Sequence, residues 1–337
     1  MMKKRLLTML VLLAAVATGA VAQTTYKVSV KEGTEDASNW QGKAGEGEYQ
    51  ALPLEGVAAN TAVSVKYNGT KKVKSVKAVK KGGAEPVDNT YQKWDADQKK
   101  LIEVNFPATV TKVQNASQNV NWQGTYVVEG EVTIGGQIEL TGDVDLIIKD
   151  GAKLTVNSYI YGSKNLRIYG QANQTGQLVV NCSNNDAIYN MTTLEVHSCQ
   201  VTATSSADAC GGFYSIGTFN VYGGSVDAKG TGTPGYGIGL GASGSMNIYG
   251  GEVKAEGKGS DFWSCGIFCD NSFNKATVTV YGGKLWAGCA DKIAFNNVNL
   301  QKDAGFTGKT ETCDNGTSWT EYTQADTPGT KYVRVGY

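Results

Sequence analysis

The sequence predicts an all-β protein in which a small N-terminal β-sandwich-like module precedes a single-stranded parallel β-helix with a C-terminal β cap. The 337 residues include 43 glycines, 17 tyrosines and only 5 prolines, a composition typical of short strands and tight turns. A short pattern also recurs about every 25 residues in the second half of the chain, as the coils of a solenoid do. Collagen is excluded because no strict Gly-x-y period is present.

Residues 1–22 have the pattern of a secretory signal peptide. Lys3-Lys4-Arg5 precedes an apolar run over 6–17, and Ala20-Val21-Ala22 is a small-x-small cleavage site. The apolar run is shorter than the ~20 residues that a membrane-spanning helix needs. We therefore expect a protein that is exported to the periplasm, the outer surface or the extracellular space and does not span the membrane.

Residues 23–85 are predicted to form the small β module. Alternating apolar residues over 26–30 and 61–67 indicate half-buried strands. The stretch 71–81 holds six lysines and is interpreted as a solvated strand face, with a polyanion-binding strip as the alternative. The stretches 30–37 and 67–76 resemble the β-sandwich-like modules that lead many exported Bacteroidetes surface proteins. Residues 82–86 are a linker by composition, and we assign 86–119 to a linker and N-terminal cap.

Each repeat beyond this point contains three short apolar strands. The first strand recurs as Leu166–Gly170, Leu194–Ser198, Phe219–Gly224, Met246–Gly251 and Val278–Gly283, and three of these segments end in Tyr-Gly-Gly. Three strands in about 25 residues match one coil of a parallel β-helix, whereas a propeller blade needs four strands in about 40–45 residues. The Leu ladder of leucine-rich repeats is absent. The β-helix is therefore placed at 120–306 and its C-terminal cap at 307–337.

The strand columns support one register for the coils. Aligning the repeats brings Asp227 beside Lys254, Glu252 beside Lys284 and Arg167 beside Glu195. Opposite charges on neighbouring strands are compatible, although each such pair is worth only ~0.2–1 kcal/mol. The same alignment predicts a set of inward-facing residues: Val221, Val226, Ile238, Ile248, Val253, Ile267, Val280 and Leu285.

This domain resembles the right-handed parallel β-helices of the pectin-lyase-like kind. The resemblance rests on the coil pattern and the Tyr-Gly-Gly corners, and it implies a right-handed coil, as the general crossover rule does. Enzymes of this kind act on polysaccharides through paired Asp residues or through Asp-bound calcium. This chain offers a set of acids without adjacent carboxylates in one column: Asp186, Asp208, Asp227, Asp261, Asp270 and Asp291. An enzyme is therefore the less favoured reading, and no cofactor or metal is expected.

Other chemistry finds little support in the composition. Lys plus Arg and Asp plus Glu both number 31, which argues against a nucleic-acid partner. The one histidine, His197, occupies the position that tyrosine holds in other coils, and is interpreted as structural. The seven cysteines are an odd number, and either buried thiols or one or more bridges fit the sequence.

The candidate binding residues are aromatic. Tyr169, Tyr222, Tyr249 and Tyr281 should project outward along one edge, with Trp286 on the adjacent strand and Trp263 in a longer loop. Such a ladder could be a platform for sugar rings or a self-stacked structural column. The sequence thus predicts a non-catalytic exported protein for glycan binding or surface adhesion, with a polysaccharide or a host or bacterial surface glycan as partner. The alternative is a polysaccharide lyase or glycoside hydrolase of the β-helix type.

Overall fold

The computed structural model describes residues 25–28, 37–44, 47–52, 54–58, 63–68, 89–269, 274–323 and 327–337. The expected signal peptide, the lysine-rich stretch 71–81 and the linker 82–86 lie outside these residues. The described part is all-β, with a single 3-10 turn at Ala37–Asn39. Contacts divide the chain into two compact units, Met1–Asp88 and Asn89–Tyr337.

The first unit contains short antiparallel sheets. Its strands are β1 (Thr25–Val28), β2 (Trp40–Ala44), β3 (Gln50–Ala51), β4 (Leu54–Ala58) and β5 (Val63–Tyr67). β1 pairs with β4, and β2 lies between β3 and β5. Leu54 and Val63 are buried at the centre of this unit. Both stretches in which alternation predicted strands, 26–30 and 61–67, contain strand residues, as β1 and β5.

The second unit begins with the hairpin β6 (Thr90–Asp95) and β7 (Lys100–Asn105), which precedes the solenoid. Its next strands are β8 (Thr111–Lys112), β9 (Val120–Val128), β10 (Glu131–Ile134), β11 (Ile138–Ile148), β12 (Lys153–Val156), β13 (Ile160–Tyr161), β14 (Asn165–Tyr169), β15 (Gln177–Cys182), β16 (Ile188–Tyr189), β17 (Thr193–Val196), β18 (Gln200–Ser205) and β19 (Cys210–Val221). The remaining strands are β20 (Ser225–Gly230), β21 (Gly235–Ile248), β22 (Glu252–Gly257), β23 (Cys265–Cys269), β24 (Ala276–Val280), β25 (Lys284–Cys289), β26 (Ile293–Asn296), β27 (Val298–Lys302), β28 (Thr310–Cys313), β29 (Thr320–Glu321) and β30 (Tyr332–Val335).

These strands form a parallel β-solenoid of about 7 turns over residues 131–302. The first face runs β10-β12-β15-β18-β20-β22-β25. The second face contains β13, β16, β23 and β26, and the third contains β14, β17, β24 and β27. The long strands β11, β19 and β21 pass through both the second and third faces and join them into one sheet. The predicted fold class is confirmed.

The predicted register and core are confirmed as well. The charged columns align as Asp227 with Lys254, Glu252 with Lys284 and Arg167 with Glu195. Every residue predicted to face inward is at most 1% exposed: Val221, Val226, Ile238, Ile248, Val253, Ile267, Val280 and Leu285. One continuous apolar core therefore fills the interior of the coils.

The ion pairs on the first face run along the strands and not between coils. Lys229 Nζ lies 2.8 Å from Asp227, and Lys254 Nζ lies 3.1 Å from Glu256. Residues two apart in a strand point to the same side, so they compete with cross-coil neighbours for a partner. Lys254 also lies over the Trp286 ring, 4.9 Å from its centroid, which directs it away from Asp227. The charge columns thus identified the register correctly, but they did not identify the ion-pair partners.

The cap predicted over 307–337 is antiparallel. β30 pairs with β25 of the last coil, and β28 and β29 extend this sheet. Val333 and Val335 are fully buried in the solenoid core. On the outer side Arg334 Nε lies 2.8 Å from Glu311. The cap thus covers the end of the first face with its own apolar residues.

All seven cysteines are free thiols. Cys210 is half-buried and the other six are buried. Burial raises the pKa of Cys199 to about 12, so this thiol stays protonated at neutral pH. In the structure these residues act as small apolar side chains.

Candidate functional site

The aromatic residues predicted to bind a ligand lie on three different parts of the solenoid. They are Tyr169, Tyr222, Tyr249, Tyr281, Trp286 and Trp263. The four tyrosines form a column at the corner that follows the third face, where each coil turns toward the first face. Trp286 lies on the first face in β25, and Trp263 lies in the loop before β23. These residues therefore do not form one continuous surface.

The corner tyrosines stack in one column with the histidine. We call Tyr169, His197, Tyr222, Tyr249 and Tyr281 the corner ladder. Successive ring centroids are separated by 4.5, 4.7, 5.1 and 4.6 Å, in that order. The last two tyrosines are nearly parallel, at 9°. Offset stacking of this kind contributes about 0.5–1.5 kcal/mol per pair beyond area burial.

The second glycine of each Tyr-Gly-Gly motif makes the corner possible. Gly224, Gly251 and Gly283 have φ of 70°, 74° and 71°, a left-handed conformation that disfavours a side chain. A Cβ on these residues would lie 2.1–2.5 Å from a carbonyl oxygen of the preceding coil. The motif is therefore explained by the tight turn that places each tyrosine directly over the one before it.

The hairpin β6–β7 covers much of the corner ladder. Trp94 stacks on Tyr222 with a centroid distance of 5.1 Å and an interplanar angle of 17°. Its backbone N–H donates a hydrogen bond to His197 Nδ1 at 3.0 Å. Tyr91 contacts Tyr169 edge-on at 4.7 Å. Residues 86–119, expected as a linker and N-terminal cap, thus contain a hairpin that packs on the predicted binding column.

This covering decides which rings remain accessible. Tyr169 is only 3% exposed, and Tyr222 and Tyr249 are half-buried. Tyr281, at the far end of the ladder, is 40% exposed. A shallow groove runs beside this end, lined by Gly224, Ser225, Gly251, Glu252, Gly283, Lys284 and Gly336. The ladder offers a ligand only its last ring and a mostly backbone-lined groove.

His197 is held in its neutral form. Burial is the largest influence on its pKa and lowers it, and Lys93 acts in the same direction. Glu195 and Asp145 raise the pKa, but it remains below the ordinary value of a histidine. Because Nδ1 accepts the Trp94 N–H, the ring proton belongs on Nε2, 3.3 Å from Glu195 Oε2. A proton on Nδ1 would remove the acceptor that anchors the hairpin.

Acidification is therefore expected to loosen the hairpin. An unfolded-state histidine has a pKa of about 6.5, and the folded-state pKa of His197 is lower. The stabilisation from the neutral ring is complete above about pH 6.5 and is lost as the pH falls through the folded-state pKa. Hydrogen exchange of residues 90–105, corrected for intrinsic rates, should accelerate on acidification. The His197→Tyr chain should not show this change, and an equal response in both chains would contradict the prediction.

Trp286 is engaged by neighbouring side chains on the first face. The ammonium group of Lys254 lies over its ring at 4.9 Å, and Tyr332 of the cap contacts it at 5.8 Å. Its Cα also lies opposite Arg334 of β30. Trp286 therefore connects the last coil to the cap.

Trp263 belongs to a small aromatic cluster outside the main core. Its ring packs edge-on against Phe268 at 5.2 Å, and Phe268 contacts Tyr236 at 4.5 Å. The neighbouring Phe262 is 53% exposed, and its carbonyl accepts a hydrogen bond from Asn296 Nδ2 at 2.7 Å. This loop places partly exposed aromatic surface at one end of the second face.

The second face carries tyrosines that the sequence analysis did not select. We call Tyr159, Tyr161, Tyr189 and Tyr214 the tyrosine face. Tyr161 is paired in register with Tyr189, and Tyr189 with Tyr214. All four are partly exposed. The sequence signal was a repeated apolar-Tyr pair at the third strand of three coils, Ile160-Tyr161, Ile188-Tyr189 and Phe213-Tyr214.

Amide side chains hold the phenol groups of this face. Tyr159 donates a hydrogen bond to Gln137 Oε1 at 2.5 Å, and Gln137 Nε2 donates to the Tyr161 hydroxyl at 3.2 Å. Asn185 Nδ2 donates to the Tyr189 hydroxyl at 3.2 Å. Burial raises the pKa of Tyr189 to about 12, so its hydroxyl remains a donor at neutral pH. The rings and their hydroxyl groups are thus positioned before any ligand arrives.

Several carboxylates considered for catalysis have structural partners. Asp186 is buried and accepts hydrogen bonds from the Tyr236 hydroxyl at 2.5 Å and the Gly211 N–H at 2.6 Å. Burial raises its pKa, although both hydrogen bonds act in the opposite direction. Asp208 accepts from the Thr233 N–H at 2.8 Å, while Asp270 lies outside the described residues.

Neither metal ligands nor helical membrane spans are found in the part of the chain that the structure describes. Over those residues, no group of three or more His, Cys, Asp or Glu side chains is placed to hold a metal ion. The same residues include no helix long and apolar enough to cross a membrane.

Comparison with protein-family models, curated proteins and solved structures gives no match. The geometry of the chain itself must therefore support any functional conclusion.

Proposed function

We propose that this protein is an exported, non-catalytic β-solenoid that binds glycans through its tyrosine face. The observation that supports this most is the row formed by Tyr161, Tyr189 and Tyr214, which stand in register on three neighbouring coils and remain partly exposed. Tyrosine presents an apolar ring with a polar tip, which suits the apolar faces and hydroxyl groups of sugars. A rigid sheet carries the rings, so little ordering cost accompanies binding.

The corner ladder has a different role in this proposal. The rings of both columns stack on one another, but those of the corner ladder are also covered by Trp94 of the hairpin, and this cover favours the structural interpretation of that column. Tyr281 and the adjacent groove are a weaker candidate surface because few side chains line the groove. The signal-peptide pattern of residues 1–22 supports export, and a polysaccharide or a host or bacterial surface glycan is the corresponding ligand.

A catalytic role finds less support than binding. β-Helix hydrolases need two free carboxyl groups facing one substrate, about 5–9.5 Å apart. Asp227 is paired with Lys229, and Asp186 is buried beneath Tyr236 and bonded to it. These partners favour a structural function for both acids and support the binding proposal over a lyase or hydrolase.

Glycan-array screening of the purified chain tests this proposal. A Tyr161→Ser/Tyr189→Ser chain should lose retention of the glycans that the parent binds, because the stacking surface is removed. Tyr337→Ser is the matched control, since Tyr337 is 43% exposed but belongs to the cap. Product analysis of the bound glycans should show no cleavage. Retention that survives in the double variant, or released oligosaccharides, would contradict the proposal.

A further inference from the structure

Three tyrosines of the tyrosine face are arranged in a row along the solenoid axis. Neighbouring strands of a sheet lie about 4.8 Å apart, so Tyr161, Tyr189 and Tyr214 advance by this step along the solenoid axis. The step is close to the length that one hexose adds to an extended glycan chain. The residue after each tyrosine has a positive φ and turns the chain away from the face, at Gly162, Asn190 and Ser215. A ligand lying along a strand would therefore meet at most two rings, Tyr159 and Tyr161, whereas a ligand lying along the axis meets Tyr161, Tyr189 and Tyr214.

The next position of the row beyond Tyr214 is a glycine, Gly239. Gly239 has no side chain, and a Cβ there would lie 2.7 Å from the Phe268 ring and 3.0 Å from the Tyr214 ring. Phe268 of the next coil thus fills the missing position and stacks toward Tyr214 at a centroid distance of 6.3 Å. Trp263 and the exposed Phe262 extend the apolar surface beyond this point. Phe268 is fully buried, so the exposed part of the row is Tyr161, Tyr189 and Tyr214 on three coils.

The charge of this column is also distinctive. The described outward positions in line with the tyrosines are occupied by Asn121, Glu139, Gly239, Phe268 and Asn296. Their one charge is the carboxylate of Glu139, and none of these positions holds a cation. The outward columns of the first face hold charges of both signs, with Lys153, Lys229, Lys254 and Lys284 beside Glu131, Asp227, Glu252 and Glu256. In the tyrosine column, an acidic polysaccharide would meet a carboxylate and no cation at the described positions.

We infer that the ligand of the tyrosine face is an uncharged, linear glycan that lies along the solenoid axis with one sugar for each coil. This inference rests on the proposed function and adds the class and orientation of the ligand. Tyr161 and Tyr189 stack on each other along the axis with ring centroids 5.6 Å apart, so their exposed ring edges and hydroxyl groups contact the successive sugars. The hydroxyl groups of Tyr161 and Tyr189, held by Gln137 and Asn185, exchange hydrogen bonds with sugar hydroxyl groups.

Calorimetric titration of the full purified chain with oligosaccharides of two to six sugars tests this inference. The probes are uncharged β-1,4-linked gluco- and manno-oligosaccharides, compared with oligogalacturonates of equal length. Affinity for an uncharged series should rise with length until three sugars cover the tyrosines and then change little. It should be unchanged between about 50 and 500 mM NaCl, because no ion pair is involved. Tyr189→Ser should weaken binding by about tenfold or more, whereas Tyr189→Phe, which keeps the ring, should lose less.

The possible outcomes separate this inference from the proposed function. Salt-sensitive binding of oligogalacturonates that requires Tyr161 and Tyr189 would leave glycan binding at this face intact and overturn the uncharged class. Binding of a disaccharide as tight as that of longer chains would overturn the axial orientation. Binding of no glycan at all, or a dimer of the chain that Tyr189→Ser dissociates, would overturn both. Melting curves of each variant identify any loss that comes from unfolding.

Discussion

Val253→Asp is expected to unfold the solenoid. Val253 lies in β22 with no exposed surface, between Val226 of the preceding coil and Leu285 of the next. An aspartate here loses the burial of an aliphatic side chain, about 1.5–3 kcal/mol, and places a carboxyl group without a partner in an apolar interior. The sum is comparable to the whole stability of many domains, about 5–15 kcal/mol. Because each coil is stabilised by its neighbours, the damage should spread along the solenoid.

Thermal melting followed by circular dichroism measures this effect. Thr279→Asp is the control, because Thr279 points outward on the third face between Asn247 and Gln301 and is only half-buried. The control should fold and melt within a few degrees of the parent, since surface changes usually alter stability by about 0.5 kcal/mol or less. A soluble Val253→Asp chain that melts like the parent would show that β22 does not bury this side.

The parts of the fold that repeat could be predicted from the sequence. Five successive coils place a valine or isoleucine at the same inward position, so the sequence around Val221, Ile248 and Val280 describes one repeated environment. The glycines of the Tyr-Gly-Gly corners recur for the same reason, because three successive coils make the same left-handed turn. Because the pattern repeats, several segments of the sequence describe the same structural position, and their agreement identifies the register of the coils.

The parts that occur once could not be predicted in this way. Nothing in the alternation of β6 indicates that Trp94 packs on Tyr222, since the partner is more than a hundred residues away. The columns of charged residues likewise could not predict the ion-pair partners, because a long side chain can reach several partners. Arg167 binds Asp145 of the coil before it at 2.6 Å, and Glu195 of the coil after it is taken by His197.

The sequence pattern predicts tyrosines at coil spacing, but it does not show which of them remain exposed. Tyr-Gly-Gly is the more conspicuous motif, and it belongs to the corner ladder, in which Tyr169 is only 3% exposed. The conspicuous glycines are there for the turn, while the tyrosine face is marked only by two-residue strands such as β13 and β16. The corner ladder and the tyrosine face differ in solvent exposure, because the hairpin β6–β7 packs on the corner ladder.

Replacing Tyr222, Tyr249 and Tyr281 together with serine is expected to lower the melting temperature strongly. The change removes the ring contacts among these three residues, and those to His197 and Trp94. These are five contacts at about 0.5–1.5 kcal/mol each beyond burial, so a loss of a few kcal/mol is expected. For a domain of this size that corresponds to roughly 10 °C. The hairpin should also lose its platform, which hydrogen exchange of residues 90–105 would report.

The matched control is the triple replacement with phenylalanine, which keeps every ring and removes only the hydroxyl groups. Of these, Tyr222 lies 3.5 Å from Glu195, at the limit of a hydrogen bond, so the phenylalanine chain should melt close to the parent. Glycan retention should persist in both triple variants, provided that they are assayed below their melting temperatures. A serine chain with parental stability that no longer retains glycan would reverse the assignment. It would make the corner ladder the sugar platform, with Trp94 occupying the place of the ligand until a glycan displaces it.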